Sequence, residues 1–148
     1  MRAVVTRVTH ASVTIDGKLN GEIGQGFLIL LGVGPNDTEA VADKLADKIC
    51  NTRVFEDENG KMNLCLQQVG GSILVVSQFT LYADVSKRRP GFTGAAKPDL
   101  AIPLYERFMA RCRENGFEVQ HGEFGADMKV DSLNDGPVTL LFDTERPF

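Results

Sequence analysis

Apolar and polar positions alternate from Ala3 to Ile15 in a stretch rich in Val and Thr, and that period of two predicts a strand. Asp16-Gly17 is a hairpin signal, with Leu19 to Ile23 as the returning strand. Gly24 and Gly26 bracket a turn. Phe27-Leu28-Ile29-Leu30-Leu31 is then a continuous apolar run of strand length, so both its faces are expected to be buried. The period changes next. Val41, Leu45 and Ile49 recur at i, i+4 and i+8, the stripe of a helix that Asp37 or Thr38 can cap, with Lys44, Asp47 and Lys48 on its wet face. Val54-Phe55 reads as a short strand before a turn at Asp57-Glu58-Asn59-Gly60, and Gly70-Gly71 precedes a second buried strand, Ser72 to Phe79. A second helix is expected from a cap at Asp99 to about Asn115, with Leu104, Phe108 and Cys112 as its seam and Gly116 at its stop. Strands at Phe117 to His121, Met128 to Leu133 and Val138 to Phe142 complete the pattern. The prediction is an α+β domain: a mostly antiparallel, barrel-like sheet with two main helices on one face.

The 148 residues suit one domain, 1–148, large enough to hide roughly 70% of its unfolded surface. No apolar run approaches the ~20 residues of a membrane span, and Met1 to Thr6 reads as a strand, without signal-peptide layout. The cytoplasm is the expected compartment. Cys50, Cys65 and Cys112 form no CxxC pair, and the helical positions of Cys50 and Cys112 favour buried free thiols. A net charge of −4 argues against a broad electrostatic grip on nucleic acid but leaves room for a local basic patch.

The chain has no GxSxG, P-loop, HExxH or GxGxxG, and its two histidines, His10 and His121, fit no triad or ligand pattern. No metal or cofactor is expected. Four other segments stand out. In Asn134-Asp135-Gly136-Pro137-Val138-Thr139, glycine allows close approach to the main chain, and proline makes the preceding bond one of the few that can be cis. Ser77-Gln78-Phe79-Thr80-Leu81 is either a strand end turning polar, which spacing favours, or a pocket edge whose backbone N–H groups could hold an oxyanion. Lys87-Arg88-Arg89-Pro90-Gly91-Phe92 lies in a long irregular stretch from Asp84 to Lys97; it is a solvated loop or a phosphate site with Phe92 near a base. Phe124-Gly125-Ala126-Asp127-Met128 could wall a flat pocket for a base, and core packing explains Phe124 and Met128 equally well.

Together these segments resemble the D-aminoacyl-tRNA deacylase family in its bacterial and eukaryotic form. The likeness runs through Arg7-Val8-Thr9, Leu30-Leu31-Gly32-Val33, Gly60-Lys61-Met62-Asn63, Ser77 to Leu81, Arg89-Pro90 with Phe92, Phe124 to Met128, and Asn134 to Thr139. Gly91 stands where many relatives carry serine. The resemblance implies a homodimer in which each cis Gly136-Pro137 dipeptide enters the partner's active site. There its carbonyls receive the substrate amino group, and an L side chain collides. The implied reaction is hydrolysis of the ester joining a D-amino acid, or glycine, to the terminal adenosine of tRNA. Ser77, Gln78, Phe79 and Thr139 become the catalytic candidates, and Gly136, Pro137, Phe124, Met128, Arg88 and Arg89 the substrate-binding ones. An activated ester needs no strong nucleophile, so an N–H near Phe79 and the adenosine 2′-hydroxyl could suffice. Thr139 as nucleophile is the rival, though no base is evident for it. The alternative function is a non-catalytic module binding the tRNA 3′ end. An esterase of small D-amino acid derivatives and a structural dimer module remain further options. No membrane, and no protein partner beyond a second copy, is implied.

Overall fold

A computed structural model of the chain describes residues 1–146. The elements are β1 (Arg2–Ile15), β2 (Lys18–Ile23), β3 (Gly26–Gly32), α1 (Glu39–Cys50), β4 (Phe55–Glu56), β5 (Met62–Leu64), β6 (Ser72–Ser77), α2 (Pro98–Glu114), β7 (Val119–His121) and β8 (Met128–Asp143). β1 organises the sheet because it is 14 residues long. Along one side it pairs β3 over Arg2 to Val8 and β2 over Ala11 to Ile15; along the other it pairs β8. These pairings are antiparallel, whereas β3–β6 and β6–β7 are parallel. The parallel half follows from the connections, since α1 lies between β3 and β6 and α2 between β6 and β7. The sheet is therefore mixed. It nearly closes where the Asn20 side-chain amide donates to the His121 carbonyl at 2.7 Å. β4 and β5 form a separate two-stranded ribbon across the expected turn.

An irregularity between Val8 and His10 divides the core in two. Before it, Ala3 and Val5 face the helices, with Phe27, Ile29, Leu31, Ile73 and Val75. After it, Ala11 and Val13 face the barrel side, with Val8, Ile23, Leu28, Leu74 and Val76. A register change of this kind moves side chains to the other face, so one odd-numbered apolar series serves both cores.

The helices dock through paired guanidinium–carboxylate contacts: Arg107 donates to both oxygens of Asp43, and Arg111 to both of Asp47. Those bonds to Arg107 and Arg111 hold both carboxyls below the usual carboxylate range. Cys50 and Cys112 are buried free thiols, 4.0 Å apart across the same interface. Thr38 caps α1 by accepting from the Val41 N–H, while Asp37 is buried against the Met1 amine. Three expectations shift. α2 starts at Pro98, which needs no amide partner at a helix start, and Asp99 sits in its first turn. β6 stops at Ser77, and Phe79–Tyr82 turns into a 3-10 helix. The two strands expected around Asn134 to Pro137 are one 16-residue strand, β8.

Candidate active site

β3 and β6 run parallel, and their C-terminal ends open beside the start of α2, a usual place for ligands on such a sheet. Ser77, Gln78 and Phe79 line a cavity of about 20 Å³ there, together with Leu31, Val33, Ala96, Ala101, Tyr105 and Phe124. The turn that carries Phe79 is firmly placed. The Gln78 N–H donates to the Leu31 carbonyl at 2.8 Å, and the Gln78 carboxamide donates to the Thr80 hydroxyl. Arg2 donates to the Leu81 carbonyl at 2.8 Å and lies over the Tyr82 ring at 4.4 Å. Tyr105 donates its hydroxyl to the Val75 carbonyl at 2.9 Å, and burial pushes that phenol up. Among the described residues, the Phe79 and Thr80 N–H groups have no hydrogen-bond acceptor. Two consecutive free amides, the first on a residue that lines the cavity, can receive a developing oxyanion.

The Gly136-Pro137 peptide is cis and sits in a bulge of β8. Asn134 faces Val8 and Thr139 faces Thr6, so residues 135–138 together oppose Arg7. Arg7 is only 6% exposed. It donates to the Asp135 carbonyl at 2.9 Å and to the Val54 carbonyl at 2.7 Å, and its Nε lies 3.6 Å from an Asp135 carboxylate oxygen. Asn134 closes the base of the bulge: its carboxamide oxygen accepts from the Val138 N–H at 2.9 Å, and its NH2 donates to the Thr139 hydroxyl at 3.0 Å. Gly136 has φ +133°, and a Cβ there would lie 2.8 Å from Val138 Cγ2 and 3.0 Å from an Arg7 nitrogen.

One chain does not bring the cavity and the bulge together. β8 is three strands from β6 across β1 and β3, about 14 Å at ~4.8 Å per strand. The faces differ as well. Val138, Leu140 and Phe142 pack on the helix side, so alternation points Thr139 away from it, whereas Ile73 and Val75 place Ser77 toward the helices. Among the described residues, the Thr139 hydroxyl hydrogen-bonds only the Asn134 amide, a donor, and no base. Phe124 joins the helix-side core and the cavity; Met128 packs on the barrel side against Gly122 and does not line the cavity. Arg88 and Arg89 are exposed in a loop whose ends pair at Asp84 and Gly91. A larger cavity, about 320 Å³, lies between α1 and the end of β8. It carries Lys44 and Lys48, while Asp143 is already bound by Arg2 and Thr144 by the Met1 amine, so the smaller cavity is the better chemical candidate. No group of three or more His, Cys, Asp or Glu among the described residues could hold a metal.

The sequence model of the D-Tyr-tRNA(Tyr) deacylase family matches residues 4–143. The chain belongs to this family. Curated relatives include a D-aminoacyl-tRNA deacylase of Lacticaseibacillus casei, 58% identical over 98% of this chain and 99% of its own length. One of Symbiobacterium thermophilum is 54% identical over 100% of this chain and 99% of its own. A solved structure titled c-Myc DNA Unwinding Element Binding Protein is 39% identical, with a TM-score of 0.91 over 97% of this chain and 98% of that one. A second, titled as a probable eukaryotic D-amino acid tRNA deacylase, shares the fold at 18% identity and TM-score 0.82, covering 95% of this chain and 97% of its own.

Three residues of the site lie inside segments that stand out in the sequence but carry no individual role there. Arg7 and Asn134 hold the bulge, and Thr80 supplies the second free amide. A lone arginine in a Val/Thr strand was the available signal for Arg7, because a cation there must be paired to be buried.

Proposed function

We propose that this chain hydrolyses the ester between a D-amino acid, or glycine, and the terminal adenosine of tRNA, as a single deacylase domain, 1–148, acting in the cytoplasm. Its membership of a deacylase family, with relatives at 52–58% identity over nearly the whole chain, supports hydrolysis of D-aminoacyl-tRNA. The observation that carries the site assignment is the pair of unpartnered amides at Phe79, which lines the Ser77 cavity, and at the adjacent Thr80.

In this reading, water attacks the ester carbonyl carbon. The new oxyanion is received by the Phe79 and Thr80 amides, and the 3′-oxygen leaves with a proton as the free amino acid departs. The adjacent 2′-hydroxyl positions the water, because no His or Cys stands beside Ser77 to do so. Ser77 and Gln78 shape the pocket and Phe124 contacts the adenine. Met128 supports that wall from the barrel side, and Arg88 and Arg89 meet backbone phosphate.

Chirality enters through a second copy of the chain. The Gly136-Pro137 bulge offers main-chain carbonyls to the substrate ammonium and leaves no room for an L side chain, a rejection by collision. The separation of bulge and cavity within one chain supports this homodimer, as does β8, which pairs only β1 and exposes Leu133 and Leu141, the latter by 61%. Turnover of matched D-, L- and glycyl-tRNA tests the proposal: D and glycyl esters are cleaved and the L ester survives. Binding of all three without cleavage would instead make the chain a module for the tRNA 3′ end.

A further inference from the structure

Phe79 and Phe92 form an exposed aromatic pair that the hydrolytic step does not use. Their ring centroids are 5.5 Å apart and their planes meet at 73°, an edge-to-face contact that leaves ring surface open. They are 53% and 44% exposed, so the contact does not bury them. Phe79 also lines the cavity, so the pair begins at its rim. Phe92 is fixed from the other side. The loop before it is closed by two main-chain hydrogen bonds between Asp84 and Gly91, at 2.8 and 2.9 Å, and Asp84 also accepts from the Ser86 N–H at 2.9 Å. Lys87, Arg88 and Arg89 project from that loop, exposed, and make no ion pair with the described residues. On a chain of net charge −4, three adjacent unpaired cations beside two open aromatic faces are a local exception.

Open aromatic faces flanked by cations are the chemistry that receives a single strand, base on ring and phosphate on cation. We propose that Phe79 and Phe92 form a stacking shelf for the base of the nucleotide immediately 5′ of the terminal adenosine, with Lys87, Arg88 and Arg89 meeting the phosphates there. This rests on the deacylase reading, which sets the ester of the terminal adenosine at the rim of the adjoining cavity. Stacking on a ring face is tolerant of base identity. The shelf therefore adds affinity for a single-stranded 3′ end without selecting its sequence.

The test compares two esters, D-tyrosyl-adenosine and the D-tyrosyl ester of the trinucleotide CCA, on the full chain and on Phe92→Ala and Phe92→Trp. Phe92→Ala is expected to lower kcat/KM on the trinucleotide ester by about 5- to 150-fold, matching the ~1–3 kcal/mol of one stacked base at 1.4 kcal/mol per decade. It should leave the adenosine ester unchanged, and Phe92→Trp should restore the trinucleotide rate. Equal losses on both esters, or no loss on either, overturn the shelf. So does a change in solution mass for Phe92→Ala, which would assign the pair to contact between copies. A wild-type chain inert on both esters defeats the hydrolytic reading instead. Equilibrium binding of unacylated CCA against adenosine then decides the shelf by itself: it stands if Phe92→Ala weakens CCA alone and falls if both ligands respond alike.

Discussion

Replacing Gly136 by alanine tests the bulge most directly. At φ +133° an L residue is strained whatever space surrounds it, at a cost of about 1–3 kcal/mol. The added methyl also meets Val138 Cγ2 at 2.8 Å and an Arg7 nitrogen at 3.0 Å. Arg7 cannot yield cheaply. It is buried and bonded to two carbonyls, and breaking one charge-assisted hydrogen bond costs about 1.5–3 kcal/mol. The exposed bulge is the softer partner, so it should move and Arg7 should stay. Global stability then falls by only about 1–3 kcal/mol, while the main-chain carbonyls shift relative to the substrate. A misplacement of about 1 Å can cost on the order of 100-fold in rate. Equilibrium urea denaturation and single-turnover deacylation of D-tyrosyl-tRNA measure the two effects separately. Adding Val138→Ala divides the cause: it removes the 2.8 Å contact but not the backbone strain, so only the steric part should recover. A Gly136→Ala chain that keeps wild-type turnover on D substrates would refute close approach of the main chain to the substrate.

Thr139→Ala should keep turnover to within about tenfold, since the hydroxyl makes one hydrogen bond, to Asn134, worth ~1 kcal/mol; a loss beyond a thousandfold would restore Thr139 as nucleophile. tRNA ending in 2′-deoxyadenosine should bind but resist cleavage, and full single-turnover activity on it would remove the 2′-hydroxyl from the mechanism. Asp43 and Asp47 are lowered in the folded chain, chiefly by hydrogen bonds to Arg107 and Arg111, so the unfolded chain takes up their protons first. Their contribution should be complete above about pH 5 and disappear as pH falls through their folded values, below the ordinary carboxylate pKa of about 4. Asp43→Asn/Asp47→Asn should flatten the rise of Tm across that acid window, and an unchanged profile would discount the clamp.

The elements were legible where period and chemistry agreed. Val41, Leu45 and Ile49 gave the α1 stripe, with Leu45 and Ile49 buried and Thr38 as its cap. The run Phe27 to Leu31 is buried on both faces but for Leu30, because helices cover one side and the barrel core the other. The parallel pairings were not legible, since alternation within a strand carries no information about its neighbour's direction. The unity of β8 was hidden as well. Asn134-Asp135-Gly136-Pro137 has the composition of a turn, but Arg7 and Asn134 satisfy its polar groups inside a strand, and those contacts come from positions 128 residues away and from the segment's own base. For the site, Ser77 to Phe79 and Phe124 line one cavity. The family resemblance placed Thr139 beside them, and within one chain sheet parity points it to the other face.

That separation bears on how selectivity can arise at all. A rigid feature can police chirality only if it touches the substrate's α-carbon, yet the bulge lies three strands from the Ser77 cavity and on a strand with an open edge. Bending the chain to join them would require opening the β1–β8 pairing, which runs nearly the whole length of both strands and supports the helix-side packing of Val138, Leu140 and Phe142. A second copy needs no such rearrangement. It also addresses a separate liability, because a 16-residue edge strand carrying exposed Val130, Leu133 and Leu141 invites association. In the proposed homodimer, self-association through that edge and delivery of the bulge would be two consequences of one geometry, and a variant that abolishes association should then lose deacylation while keeping each chain folded.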